Sequence, residues 1–358
     1  MKKFISKLHY KKYLSPFECG VLCLLLPFSC CYAVVSEGRN LLYKLNILKT
    51  KKPGAYCISI GNLTTGGVGK TPIVKEIANY FTSKGKKVAI LSRGYGSKLS
   101  PKDIHIISDG KDVLYNARQA GDEPYWLAQN CPGTSVLTCS DRVEIAKYAT
   151  NKLHCNILIL DDGYQHQKLG RDLNILVVDY EKQFGNKLLL PAGPLREPVY
   201  HVSRADKIIV VNKTFNIIEA NAYCEKLRKK HNKKVFAANM EFEKIYSLMS
   251  NMEVKKPKKL LAFCAIGQPE QFFDQIKENE LDLVCKKAFP DHHSYTMADM
   301  IELSREADAN HCTQLITTEK DAVKIKQLFT KNTSIDKEIL VVKLKTTLDL
   351  DELFDDVG

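Results

Sequence analysis

Two places in this 358-residue sequence carry residues whose types and spacing suit chemistry. The first is a glycine cluster that ends in lysine and threonine: Thr64-Thr65-Gly66-Gly67-Val68-Gly69-Lys70-Thr71. Glycines let backbone N–H groups close on phosphate oxygens. A helix opening there adds a partial positive charge. Lys70 would then reach β- and γ-phosphates, and Thr71 would ligate Mg²⁺. The second place is the apolar run Asn156-Ile-Leu-Ile-Leu, which ends in Asp161-Asp162. Carboxylates at the end of a buried strand are suited to holding Mg²⁺ beside a nucleotide. Asp161, Asp162 and Thr71 are therefore the candidate metal ligands, with ATP as the nucleotide.

The elements needed to position these groups can be read around them. Residues 55–61 form a short apolar run ending at glycine, which predicts a buried strand. Residues 73–91 predict a helix, a turn at Gly85 and a second strand. A strand, glycine loop, helix and strand in that order is the setting a phosphate loop requires. One departure is that Thr64 stands where the general pattern has glycine. GGVGKT is also similar to the loop of MinD- and ParA-like ATPases, whose second signature lysine would fall at Thr65 and is absent.

Further strands are predicted at 87–92, 103–108, 134–138, 156–161, 173–179 and 207–212. A second group is predicted at 259–266, 283–289, 314–317 and 338–344. The alternation with helices predicts an α/β fold, a parallel sheet with helices on both faces. Lysine-rich stretches at 226–234 and 254–259 mark a boundary. The expected layout is an anchor over 1–52, a phosphate-loop domain over 53–235 and a smaller α/β domain over 236–358.

The net charge of +12 is unevenly placed. Residues 1–52 hold ten basic and two acidic residues, a net of +8. This charge flanks Cys19–Val35, a run of 17 uncharged residues. As a helix the run is about 26 Å long, the lower limit for crossing a core of about 30 Å. Pro27 in its middle is expected to kink or break it. A cleaved leader, a single span, a buried core helix and an interfacial anchor all fit. Basic flanks on both sides favour the anchor, on an anionic membrane surface and not on nucleic acid. Twelve cysteines without a C-x-x-C pair fit a reducing compartment.

Several motifs in order carry a resemblance: GNLTTGGVGKTP (61–72), SRGYG (92–96), GDEP (121–124), DDGYQH (161–166), PAGPLREP (191–198), IGQPEQF (266–272), FPDHH (289–293) and TTEKD (317–321). Together they resemble the tetraacyldisaccharide 4'-kinases, the lipid A kinases of Gram-negative bacteria. That resemblance implies transfer of the γ-phosphate of ATP to the 4'-hydroxyl of an acylated glucosamine disaccharide 1-phosphate, at the cytoplasmic face of the inner membrane. It implies Asp122 as the catalytic acid-base residue, paired with His292, and Lys70 on the phosphates. Asp162, Gln165, His166 and Arg93 are the residues expected to meet the substrate. Arg171 and Arg196 are further candidates for phosphate. Without the resemblance, Asp122 reads equally as a helix cap, and a MinD- or ParA-like ATPase switch is the alternative function.

Overall fold

All the predicted strands fall into one sheet. In the computed structural model the described residues are 2–357, apart from 12, 215, 268, 292 and 330–334. The strands are β1 (Tyr56–Gly61), β2 (Val88–Ser92), β3 (His105–Asp109), β4 (Thr134–Thr138), β5 (Ile157–Asp161), β6 (Leu173–Asp179), β7 (Lys207–Asn212), β8 (Lys234–Ser247), β9 (Leu260–Cys264), β10 (Leu283–Ala288), β11 (Gln314–Thr318) and β12 (Glu338–Thr347). Their order across the sheet is β10-β9-β11-β12-β8-β7-β6-β1-β5-β2-β4-β3.

The sheet is mixed, which corrects the parallel expectation. β3 pairs antiparallel with β4, and β12 pairs antiparallel with β8. β9, β10 and β11 run parallel with β12, so the strands beyond β8 run against β8 and its parallel neighbours. β8 itself was not expected. Its burial does not alternate cleanly, and its lysine-rich start looks like a linker. It pairs with β7 on one side and β12 on the other, so it belongs to both halves of the sheet.

The helices are α1 (Lys2–Leu8), α2 (Pro16–Lys44), α3 (Lys70–Ser83), α4 (Ala117–Ala120), α5 (Asp122–Asn130), α6 (Arg142–Asn151), α7 (Ile217–His231), α8 (Pro269–Glu278), α9 (Met297–Ala309), α10 (Glu319–Lys326) and α11 (Leu350–Leu353). Strand alternation places them on both faces. Ile157 and Ile159 of β5 pack in the cluster of α3, with Ile73, Val74 and Ile77. Leu158 and Leu160 pack in the cluster of α6, with Val143 and Ala146. Each such fully buried side chain contributes about 1.5–3 kcal/mol. The C-terminus crosses back to the first half, where Phe354 stacks on Tyr80 at 5.4 Å.

The helix α2 continues unbroken through Pro27, against expectation. Its start is fixed by a capping box between Ser15 and Glu18. Both arms around the proline are docked: Leu22 packs on Ala192, and Ser29 Oγ donates to Leu189 O at 2.9 Å and accepts from Ala192 N at 3.0 Å. This holds them in line. The 29-residue helix is long and apolar enough to cross a membrane, yet only 11% of its most apolar stretch is buried.

Candidate active site

The glycine loop lies between the C-terminal end of β1 and the start of α3. Gly69 precedes the helix at φ +91°, and a Cβ there would fall 2.9 Å from Val211 Cγ1. Glycine is therefore required by both conformation and space. The loop is braced from below. Thr65 N donates to Pro194 O at 2.7 Å, and Arg196 N to Leu63 O at 2.7 Å. Lys213, just past β7, donates to Gly67 O at 2.8 Å and pairs with the buried Asp179 at 2.6 Å.

Lys70 extends across the loop mouth. Its Nζ donates to Asn62 Oδ1 at 2.8 Å and lies 3.2 Å from Asp162 Oδ1. Arg196 donates to both oxygens of Asp162, at 3.1 and 2.9 Å. Burial pushes the Asp162 carboxyl up, but Lys70 and Arg196 outweigh it and hold it at about 2.

Asp161 differs. It is 5% exposed, and among the described residues its carboxylate accepts only a 3.3 Å bond from Ser92 Oγ, while Arg142 donates to its backbone carbonyl at 3.2 Å. Burial, then Glu123 and Asp162, push its carboxyl up to about 7, against Lys70 and Arg142. The folded value exceeds the ordinary one near 4, so the native chain keeps a proton that the unfolded chain releases. That contribution to stability is complete below about pH 4 and is lost as pH rises through 7. Denaturation of wild type against Asp161→Asn, without divalent cations, should show the difference shrinking by up to about 1.4 kcal/mol per pH unit over that window. Parallel curves would mean that Asp161 ionises normally.

Asp122 is the first residue of α5. The cap position is held by Gly121, and no side chain caps the helix. Lys324 of α10 lies 3.0 Å from Asp122 Oδ2 and also donates to His293 O at 3.3 Å. His292 lies outside the described residues. Its neighbour His293 stacks on Phe289 and pairs with Asp299 at 3.2 Å, where it steadies the start of α9.

Gln165 Nε2 donates to Asn62 O at 2.9 Å, so its side chain borders the Lys70 cluster. Burial, then Arg142 and Arg171, push His166 down to about 4, so its ring is neutral at pH 7. Its Nε2 is buried without a partner among the described residues. Arg93 is exposed just past β2. Arg171 instead has a structural position. Its guanidinium donates to Gly163 O, Tyr164 O and His166 O at 3.1–3.2 Å, bracing the turn after β5. Gly61 makes that turn possible, since a Cβ there would fall 2.6 Å from Tyr164 N. Arg171→Ala strands three carbonyls and should cost about 3 kcal/mol, read as a fall in denaturation midpoint. An unchanged midpoint would mean that water replaces the guanidinium.

The family model described as LpxK, Tetraacyldisaccharide-1-P 4'-kinase, matches residues 21–357. The chain belongs to the tetraacyldisaccharide 4'-kinases. It is 37% identical over 311 residues to the Tetraacyldisaccharide 4'-kinase of Pelobacter propionicus, covering 86% of this chain and 84% of that one. It is 35% identical over 345 residues to that of Geobacter metallireducens, covering 94% and 98%. The crystal structure of LpxK from Aquifex aeolicus in complex with ATP matches it with a TM-score of 0.74 and 31% identity, covering 94% of this chain and 98% of that one. The chain is thus an ATP-dependent lipid kinase of lipid A biosynthesis, which phosphorylates the 4'-hydroxyl of a tetraacylated disaccharide 1-phosphate. The ATPase-switch alternative gains no support from these relatives.

Several residues of the kinase escaped the sequence reading. Lys324 lies 202 positions from Asp122, and no local pattern links them. Asn62 stood inside a quoted motif without a role. Glu37 and Asn40 lie just past the apolar run 19–35 and carried no expectation. Glu37 accepts from His201 at 2.8 Å, Asn40 lies 3.4 Å from His201 Nε2, and Arg39 donates to Gln165 O at 2.7 Å. Their helical spacing with Ser29 was the available signal.

Proposed function

We propose that ATP binds with its β- and γ-phosphates on Thr64–Thr71 and that the acceptor lies over Asp162, Gln165, His166 and Arg93. The observation that carries this reading is the convergence of Lys70, Asp162 and Arg196 at the ends of β1 and β5, beside the buried Asp161. Two cations fixed on one carboxylate are pre-organised for the charge that develops on a transferring phosphoryl group.

The residues present fit Mg²⁺. That ion takes one or two carboxylates, with phosphate and water completing its shell. Asp161 would serve as such a ligand: it is buried, its carboxylate is short of hydrogen bonds, and Glu123 and Asp162 crowd it. Thr71, in the first turn of α3, would supply the hydroxyl. Asp162 is the weaker metal candidate because Lys70 and Arg196 already occupy it. Held there, the ion would supply charge neutralisation for the transferring phosphoryl group.

Asp122 receives the proton of the 4'-hydroxyl late in transfer, with His292 as its partner. Lys324, 3.0 Å from Asp122 Oδ2, keeps the carboxylate aimed. This assigns the acceptor proton to a junction between α5 and α10, so residues 53–235 and 236–358 act as two units on one substrate. The test is transfer of labelled γ-phosphate to the acylated disaccharide 1-phosphate in the presence of Mg²⁺. Lipid-independent hydrolysis without transfer would contradict it.

The exposed face of α2, with Leu24, Phe28, Val34, Val35 and Leu41, is suited to a membrane. The opposite face is tied to the body through Ser29, Glu37 and Asn40. Such a helix lies along the surface of one leaflet. Basic flanks suit anionic lipid, and twelve free cysteines suit the cytoplasmic side.

A further inference from the structure

The segment TTEKD (317–321) has no part in the transfer described above, yet it builds the start of the helix that meets Asp122. Thr318 caps α10, and its Oγ1 accepts from Asp321 N at 3.2 Å. Asp321 closes the loop through one oxygen. Its Oδ2 accepts from Thr318 Oγ1 at 2.9 Å and from Ala265 N, just past β9, also at 2.9 Å. One carboxylate oxygen therefore ties the first turn of α10 to the exit of β9. Asp321 is 0% exposed. Burial pushes its carboxyl up, opposed by the bonds from Ala265 and Thr318 and then by Lys324 and Lys320. Its Oδ1 is buried without a hydrogen bond among the described residues, as is the hydroxyl of Tyr295. After burial itself, Asp321 is the largest influence on that hydroxyl, which it pushes above its ordinary value. Unmade bonds at buried polar atoms lower stability, so packing alone does not account for a polar group at this position.

The two faces of α10 do different work. Asp321 and Ile325, one turn apart, are both buried among the strands beyond β8. Lys320 and Lys324, also one turn apart, meet α5. Lys320 lies 3.8 Å from Glu123 Oε1, and Lys324 lies 3.0 Å from Asp122 Oδ2. Lys324 is 10% exposed, and its Nζ also donates to His293 O at 3.3 Å. The turn that carries His293 rests on Tyr295, whose ring meets Phe289 and His293 edge-on at 5.2 Å each. A lysine is a point charge on a flexible stem. Its head is placed on Asp122 only while the start of α10 is held still.

We propose that Asp321 is a positioning residue for phosphoryl transfer: it locks the first turn of α10 onto β9, and Lys324 is thereby held on Asp122. The proposal rests on the reading of Asp122 as the acceptor of the 4'-hydroxyl proton. Asp321 acts through Lys324 and by geometry, so what matters is an acceptor oxygen at this position. A misplacement of about 1 Å at a reacting group costs about 10²-fold in rate.

The experiment is a double-mutant cycle in the full chain, with ATP, Mg²⁺ and the acylated disaccharide 1-phosphate in neutral detergent. Asp321→Ala, Asp321→Asn, Lys324→Met and the combination of Asp321→Ala with Lys324→Met are compared in kcat, KM and denaturation midpoint. Asp321→Ala is expected to lower kcat at least about tenfold and to leave KM for ATP unchanged. Asp321→Asn keeps an acceptor oxygen and recovers most of the rate. With Lys324→Met already present, Asp321→Ala removes little more, as for residues acting in series. A residue that only stabilises would lower the midpoint in every background and leave kcat alone, which would overturn the proposal. So would losses of kcat that multiply in the combined variant, or equal losses in Asp321→Asn and Asp321→Ala. Should Asp321→Ala fail to fold, Thr318→Val breaks the same link from its other side and must show the same coupling to Lys324. Asp122→Asn in the same assay separates the two readings. Near-normal kcat there refutes Asp122 as the proton acceptor, whereas a large loss there beside an uncoupled Asp321 refutes the positioning role alone.

Discussion

Lys70→Ala is expected to lower kcat/KM for phosphoryl transfer by about 10³-fold while leaving the fold intact. The side chain is held between Asn62 and Asp162 at the loop mouth, so its charge is placed before substrate arrives. Removing one pre-organised donor from a transferring group typically costs 10²–10³ in rate, or about 3–4 kcal/mol. Here the loss has a second part. Without Lys70, the carboxylate of Asp162 keeps only Arg196, and negative charge is left facing the phosphates. Lys70→Arg should rescue little, because a planar fork cannot reproduce a point charge between two fixed oxygens. Single-turnover assays at saturating ATP would separate transfer from binding. A variant with reduced ATP affinity but normal transfer would make Lys70 a binding residue only.

Asp122→Asn is expected to lower kcat by about 10²–10⁴-fold, the range for loss of a positioned proton acceptor. The amide keeps the shape of the carboxylate and can still meet Lys324, so α5 should remain docked on α10. KM for the lipid should change little. Lys324→Met supplies the control. If Lys324 positions Asp122, its loss lowers kcat and leaves the denaturation midpoint little changed. If Lys324 only joins the two helices, the midpoint falls and kcat stays near wild type. Near-normal kcat in Asp122→Asn would move the proton elsewhere.

The sequence was most informative where chemistry and local structure coincide. In β5 an apolar run ends on two acids, so one segment shows both the strand and its function. The loop before α3 is similar, because glycines, lysine and threonine must be contiguous to hold phosphate. The two acids could not be told apart from sequence. Asp162 is compensated by Arg196, 34 positions on, whereas Asp161 is not, and that contrast arises only once the strand ends are placed side by side. The strand β8 was missed because it is shared: one neighbour is parallel and the other antiparallel, and neither leaves a clean alternation. The continuity of α2 through Pro27 was hidden for a related reason. Local propensity predicts a break, while the docking of Leu22 and Ser29 comes from the distant segment 188–192.

The two-faced character of α2 has a consequence for how the enzyme meets its acceptor. If α2 lies in one leaflet as proposed, a helix bonded to the body along one side and apolar along the other would fix the catalytic mouth at a set height over the lipid. Catalysis would then be a two-dimensional encounter. Turnover would follow the surface mole fraction of acceptor, not its bulk concentration, so diluting the acceptor with inert detergent would slow the reaction even at constant molarity.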